Sequence, residues 1–159
     1  MTTDGNDSDD GSPVVRPLGY VEDWAVVRRI GDRDLFLGNH LAADPSAHDR
    51  SFDHVLSATR EPRPLTTHHH PLDDGPDNEW SDFAAAVDAA RDLYRREGSS
   101  LIHCKAGISR STTLAATAVA AEEGTDFRAG LEEVQAARPA AIPHPALHQS
   151  AVVYLAARS

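Results

Sequence analysis

The chain has 159 residues, and its bulk composition restricts what kind of protein it can be. Apolar residues make up 40% of it, which fits a soluble globular domain with its own core. No stretch approaches the ~20 apolar residues of a membrane span, and the polar, acidic start MTTDGNDSDDGSP does not have the pattern of a secretory signal. A single cysteine excludes an internal disulfide, so we expect a cytoplasmic protein.

The charge of the chain restricts its partners. The formal net charge is -10, which repels nucleic acid and anionic membranes at long range, so we expect neither as a partner. Lys105 is the only lysine, and all other basic residues are arginines. A GC-rich genome would account for the arginines but not for the acidic excess. The composition therefore favours a protein of a halophilic archaeon, whose salty cytoplasm screens the repulsion.

Residues 1–17 are expected to be a disordered acidic tail, because Asp, Gly, Ser and Asn bury too little surface to offset the entropy lost on ordering. Residues 18–159 are then one domain. Short apolar segments rich in β-branched residues predict strands at 24–30, 35–38, 52–58 and 100–103.

Apolar residues at helical spacing predict helices at 78–96, 110–122, 126–137 and 146–157. We expect Asp77, Asn78 or Ser81 to cap the first helix, Gly124 to end the second and Asp126 to cap the third. Strands that alternate with helices predict a single α/β domain, in which helices flank a central, mainly parallel sheet of about five strands. Ligands of such sheets bind beyond the carboxyl ends of the strands.

The segment HCKAGISRS at residues 103–111 has the features of an anion-binding loop. It lies between a predicted strand and a predicted helix, where successive N–H groups can point inward and the helix N-terminus is positive. Gly107 permits a backbone conformation that a side chain would obstruct. Arg110 adds a planar, permanently charged group that suits two phosphoryl oxygens.

The same surroundings favour a thiolate at Cys104. A free cysteine titrates near ~8.5, whereas activated ones titrate at ~3.5–7.5. A drop of about three units requires ~4 kcal/mol, and a helix terminus supplies roughly 0.3–2 kcal/mol of it. We therefore expect the loop N–H groups, Arg110 and the hydroxyl of Ser111 to supply the remainder.

This segment resembles the signature of the protein-tyrosine phosphatase superfamily, His-Cys-x-x-Gly-x-x-Arg-Ser/Thr, and AGISRS at 106–111 resembles its dual-specificity branch. Segments 35–38 and 52–61 resemble the opening strands of that branch. Segment 138–144 resembles its Arg-Pro-x-x-x-Pro-Asn motif, with His144 in place of Asn. The similarity covers about residues 20–157, so residues 18–159 would form a dual-specificity phosphatase-like catalytic domain.

The resemblance implies a two-step hydrolysis of phosphotyrosine, and also of phosphoserine and phosphothreonine, in proteins. Cys104 would form a phosphocysteine intermediate, Ser111 would assist departure of the thiolate, and His103 would orient the loop. No metal or other cofactor is implied. The residues that would hold the phosphoryl group are Lys105, Ala106, Gly107, Ile108, Ser109 and Arg110.

The resemblance also implies a general acid in the segment Pro71-Leu72-Asp73-Asp74. The family pattern Pro-apolar-acidic-Asp selects Asp74. Asp73 remains a second candidate because its spacing to Phe83 is also compatible, and Asp77 is a third.

Several alternatives remain open at this stage. His68-His69-His70 could suggest a metal site, but adjacent residues on an extended chain point to opposite faces and chelate poorly. Lys105 also fits a phosphoinositide phosphatase, although Ile108 stands where that branch has a second lysine. An RNA 5′-phosphatase would use the same mechanism. An inactive phosphate-binding module would need no nucleophile.

Overall fold

Five strands form the central sheet of this computed structural model, which describes residues 21–158. They are β1 (Val27–Arg29), β2 (Leu35–Gly38), β3 (His54–Ser57), β4 (His68–His69) and β5 (Ser100–His103). The strand order is β1-β2-β5-β3-β4. Only the β1–β2 pairing is antiparallel. The predicted α/β fold is confirmed, while the predicted tail at residues 1–17 lies outside the described residues.

The two faces of the sheet carry separate apolar clusters. Successive strand residues point to opposite faces. Leu56 of β3 and Ile102 of β5 therefore join the larger core, to which all the helices described below contribute. Their neighbours Val55 and Leu101 join a smaller cluster, which is covered in part by a short 3-10 helix, His40–Ala43. Packing from both sides fixes the central strands, whose carboxyl ends position the site.

The strands differ from the sequence prediction in three places. The strand predicted at 24–30 is limited to β1, because only Val27, Arg28 and Arg29 pair with β2. The strand predicted at 52–58 is limited to His54–Ser57, the residues that pair with β5. The pattern predicts no strand at β4, since a two-residue edge strand is too short to show a periodicity.

The helices are α1 (Trp80–Arg95), α2 (Arg110–Glu123), α3 (Phe127–Ala137) and α4 (Pro145–Arg158). Helix α2 is buried along most of its length and packs against the other three. As predicted, it ends at Gly124, whose φ of +70° is left-handed, and the side chain of Asp126 caps α3 by accepting from the N–H of Ala129. No helix within residues 21–158 is long and apolar enough to cross a membrane.

The start of α1 differs from the prediction. The helix begins at Trp80 rather than Asn78, and Glu79 precedes it without a side-chain capping bond. None of the three predicted capping residues is therefore correct. Asn78 is not free to cap, because its side-chain amide binds the backbone of Asp73 on both its N–H and its carbonyl oxygen.

Candidate active site

Residues 104–109, which we call the Cys104 loop, connect the central strand β5 to α2. The carbonyl oxygens from Lys105 to Ser109 all accept hydrogen bonds from outside this loop. The donors are His40 N to Lys105 (3.0 Å), Arg138 Nη2 to Ala106 (3.1 Å), Arg138 Nε to Gly107 (3.1 Å), Ile142 N to Ile108 (2.9 Å) and Thr113 N to Ser109 (2.9 Å). A trans peptide plane points its N–H away from its C=O. The outward carbonyls therefore turn the N–H groups toward the interior of the loop, as in an anion-binding nest.

Gly107 allows the loop to sit directly on the end of β2. Its φ is +69°, in the left-handed region that side chains obstruct. A Cβ atom at this position would lie 2.9 Å from the carbonyl carbon and oxygen of Gly38. Both the conformation and the close approach therefore require glycine.

The Cys104 thiol is buried but activated. The residue is 1% exposed, and its Sγ lies 3.2 Å from the Oγ of Ser111. Burial is the largest influence on the thiol and raises its pKa. The charge of Arg110, the Ser111 hydroxyl and the N–H groups of Ser111 and Ile108 together outweigh burial and lower the pKa of Cys104 below its ordinary value. The thiol therefore differs from an inert core cysteine.

The half-buried Arg110 contacts the backbone of two neighbouring segments. Its Nη1 donates to the carbonyl oxygens of Ala58 (3.4 Å) and Leu72 (3.3 Å). Ala58 follows β3, and Leu72 precedes the candidate acids. The guanidinium therefore links the Cys104 loop to residues 71–78, which we call the aspartate loop.

Asp74 contacts the Cys104 loop directly. Its Oδ1 accepts a 2.5 Å hydrogen bond from the hydroxyl of Ser109. The same Ser109 oxygen accepts a 2.8 Å bond from the N–H of His144. One hydroxyl thus joins the aspartate loop, the Cys104 loop and the segment before α4.

Asp73 is held differently. Its N–H donates to Asn78 Oδ1 and its carbonyl oxygen accepts from Asn78 Nδ2, both at 2.8 Å. Within residues 21–158, neither the Asp73 carboxylate nor that of Asp77 makes a hydrogen bond to the Cys104 loop. Among the three predicted acids, the structure brings Asp74 to the thiol-bearing loop.

Comparisons with known proteins identify the family of this chain. The family model "Dual specificity phosphatase, catalytic domain" matches residues 35–154. The chain belongs to the dual-specificity phosphatase family. Dual specificity protein phosphatase 15 of Mus musculus is 34% identical over 122 residues, which are 72% of this chain and 52% of that protein. The phosphatase domain thus spans about half the length of the curated relatives it matches.

Solved structures give the same family fold. A crystal structure of DUSP15 has a TM-score of 0.69 at 29% identity and covers 81% of this chain and 86% of that one. A crystal structure of human DUSP28 has a TM-score of 0.70 at 23% identity, covering 92% and 97% of the two chains. The second likeness supports the fold alone.

His103 is buried and directly precedes Cys104 in the chain. Its Nε2 is hydrogen-bonded to the Ser57 hydroxyl, and its Nδ1 lies 3.3 Å from the carbonyl oxygen of Cys104. Ser57 is in turn bonded to the hydroxyl of Thr66. Burial is the main cause that lowers the pKa of His103 to about 4. The ring therefore stays neutral through the physiological pH range and can hold the start of the loop without changing charge.

This burial predicts a pH dependence of stability. Below its ordinary pKa of about 6.5, His103 takes up a proton in the unfolded chain but not in the folded one until the pH approaches about 4. The free energy of unfolding should therefore fall as the pH falls through this window. Between pH ~7 and ~5, the wild type should lose about 2 kcal/mol more than His103→Gln. Urea denaturation at both pH values measures the free energy of unfolding of each protein. Equal losses of stability in the wild type and in His103→Gln would contradict the burial of a neutral ring.

The motif segment 138–144 supports the Cys104 loop of the phosphatase domain from behind. Arg138 and Ile142 donate to its carbonyl oxygens, as described above. His144, which replaces the usual Asn, accepts from the N–H of Ala146 with its Nδ1 and so occupies the start of α4. His144 thus supplies a side-chain acceptor at this helix terminus.

Other predicted residues differ in how far their side chains are exposed. The side chain of Lys105 is exposed, while Ala106 and Ile108 are half-buried. His68 and His69 form the edge strand β4. Within residues 21–158, no group of three or more His, Cys, Asp or Glu side chains is arranged to hold a metal ion.

Sequence reasoning missed the residues that hold the site from outside. The sequence pattern marks Asn78 only as a candidate helix cap and Arg138 only as part of a motif. The role of Ser109 in binding Asp74 could have been suspected from its place in the loop, since a hydroxyl there can reach a neighbouring acid. Glu22, which binds Arg138, carries no local signal because its partner lies far along the chain.

Proposed function

We propose that this domain is a protein phosphatase that hydrolyses phosphotyrosine, and also phosphoserine and phosphothreonine, through a phosphocysteine intermediate. The observation that carries the proposal is the Cys104 thiol with its lowered pKa, enclosed by N–H groups whose carbonyls are held outward and by Arg110. This is the arrangement that a nucleophile for phosphate requires.

In the first step, the Cys104 thiolate attacks phosphorus and a sulfur–phosphorus bond forms. The bond from phosphorus to the leaving oxygen breaks, and that oxygen takes a proton from Asp74. The N–H groups of residues 105–110 and the guanidinium of Arg110 stabilise the charge on the transferring phosphoryl group. The contact of Asp74 with Ser109 supports this assignment over Asp73.

In the second step, the Asp74 carboxylate takes a proton from water as the water oxygen bonds to phosphorus. The sulfur–phosphorus bond breaks and the thiolate leaves. The Ser111 hydroxyl, 3.2 Å from the sulfur, donates to the departing thiolate and restores the resting site. His103 supports the loop from the protein interior. This chemistry calls for no metal or organic cofactor.

The test is a screen of phosphopeptides, phosphoinositides and 5′-phosphorylated RNA at low and high salt. We expect phosphate release from phosphotyrosine peptides first, with phosphoserine and phosphothreonine peptides slower because their side chains are shorter. Asp73→Ala serves as a control that retains the proposed machinery. A preference for phosphoinositides would instead favour the phosphoinositide phosphatase that Lys105 suggests. A preference for RNA would favour the RNA 5′-phosphatase. Binding without release from any substrate would favour the inactive module.

The cellular setting is also part of the proposal. We place the protein in the cytoplasm of a halophilic archaeon, because it has one cysteine, one lysine and a net charge of -10. A phosphorylated protein is the expected partner, and neither nucleic acid nor a membrane is, since the overall field repels polyanions. The Cys104 loop then attracts phosphate only at short range. High salt in the screen above should screen the repulsion between the acidic protein and acidic substrates, and so favour their binding.

A further inference from the structure

A buried ion pair lies directly behind the Cys104 loop. Arg138 Nη1 and Nη2 lie 2.9 Å and 3.0 Å from the two carboxylate oxygens of Glu22. The side chains are only 6% and 8% exposed. Burying two charges is costly unless their geometry is good and their remaining hydrogen-bonding groups are satisfied. Here two further N–H groups of the guanidinium, on Nη2 and Nε, donate to the loop carbonyls of Ala106 and Gly107.

These two carbonyls control the direction of two N–H groups. The peptide plane that carries the Gly107 carbonyl also carries the N–H of Ile108, and this N–H lowers the pKa of the Cys104 thiol. The plane that carries the Ala106 carbonyl likewise carries the N–H of Gly107. A guanidinium fixed on both carbonyls therefore prevents either plane from turning its N–H out of the loop.

We propose that Glu22 is a positioning residue, which acts through Arg138 to keep the N–H groups of Gly107 and Ile108 directed at the sulfur and at bound phosphate. This inference deepens the proposed function and rests on it only for the identity of the anion. Glu22 precedes β1 and lies outside residues 35–154, the part that the family model matches. The segment before the matched region thus completes the site.

The direction of the effect separates positioning from simple electrostatics. If Glu22 acted only through its negative charge, neutralising it would leave a more positive surrounding. The thiol would then ionise more easily and phosphate would bind more tightly. If Glu22 positions Arg138, neutralising it frees the guanidinium from its two-point contact and the N–H groups lose their direction. The thiol then ionises less easily and phosphate binds more weakly.

The experiment measures the pH dependence of iodoacetamide alkylation, which reports Cys104 alone because it is the only cysteine. In Glu22→Gln and Arg138→Lys, we expect the midpoint to rise by about one pH unit. Competition by inorganic phosphate, measured as protection from alkylation, should weaken about tenfold. Neither measurement needs turnover, so this inference can fail while the proposed phosphatase activity stands, or survive if that activity fails.

The matched control is Glu123→Gln. Glu123 forms a similar two-point pair with Arg33 at 2.7 Å and 2.9 Å, but its contacts do not involve the Cys104 loop. Its alkylation midpoint should match that of the wild type. An unchanged or lower midpoint in Glu22→Gln, or an equal rise in Glu123→Gln, would overturn the proposal. If Glu22→Gln does not fold, Glu22→Asp, which keeps the charge but shortens the side chain, must show the same rise.

Discussion

Replacing Cys104 with Ser should lower phosphate release from p-nitrophenyl phosphate to less than about one thousandth of the starting rate. The reason is chemical rather than structural. The surroundings of Cys104 lower the pKa of a thiol, but an aliphatic alcohol stays protonated even there. A serine at this position would therefore have the correct location without being a nucleophile.

The Cys104→Ser variant also distinguishes loss of chemistry from loss of the site. Four of the loop carbonyls, those of residues 105–108, are held by His40, Arg138 and Ile142, and these bonds do not involve the sulfur. Binding of a phosphotyrosine peptide should therefore persist, and calorimetry can measure it. Rapid quenching of the wild type should trap phosphate on Cys104, and this adduct should be absent from the variant. Substantial phosphate release by Cys104→Ser would eliminate the covalent mechanism.

The centre of the site could be predicted from the sequence because it is contiguous. The strand Ser100–His103, the Cys104 loop and the start of α2 follow one another directly, so their order already implies an anion site at a strand end. Gly107 and Arg110 lie in the same segment, and few structures other than an anion-binding loop require both residue types at these positions. Strands β2 and β5 were predicted with the correct bounds because their apolar residues are flanked by turns.

The surroundings of the site could not be predicted, because they depend on contacts that the local sequence pattern does not specify. Asn78 has the sequence features of a helix cap, but the fold brings Asp73 within its reach and it binds that backbone instead. Glu22 lies 116 residues from Arg138 in the chain, and no periodicity or motif connects them. The edge strand β4 forms only because β3 offers an unpaired edge to His68 and His69.

The choice between the candidate acids also depended on the fold. The sequence pattern favours Asp74 but leaves Asp73 and Asp77 open, since all three lie within the aspartate loop. The structure adds that Ser109 binds the Asp74 carboxylate, while Asn78 holds the Asp73 backbone. Arg110 also holds the Leu72 carbonyl, which fixes the distance of the aspartate loop from the thiol. We therefore expect the removal of Asp74, rather than of Asp73 or Asp77, to matter most.

Asp74→Ala should reduce kcat on a phosphotyrosine peptide by about 10²–10⁴-fold, the usual contribution of a general acid. The loss should be much smaller on p-nitrophenyl phosphate, because nitrophenolate is a more stable anion than tyrosinate and needs less help from a proton donor. Asp73→Ala is the matched control, since it removes a neighbouring carboxylate of the same charge. It should retain most of the activity on both substrates.

The ratio of the two losses is more informative than either loss alone. Removal of a residue with a purely structural role would slow both substrates equally, because the Cys104 loop serves both. Removal of the acid slows the substrate with the poorer leaving group selectively. If Asp73→Ala instead showed the selective loss, the acid would be Asp73, and the bond from Ser109 to Asp74 would serve only to anchor the loop.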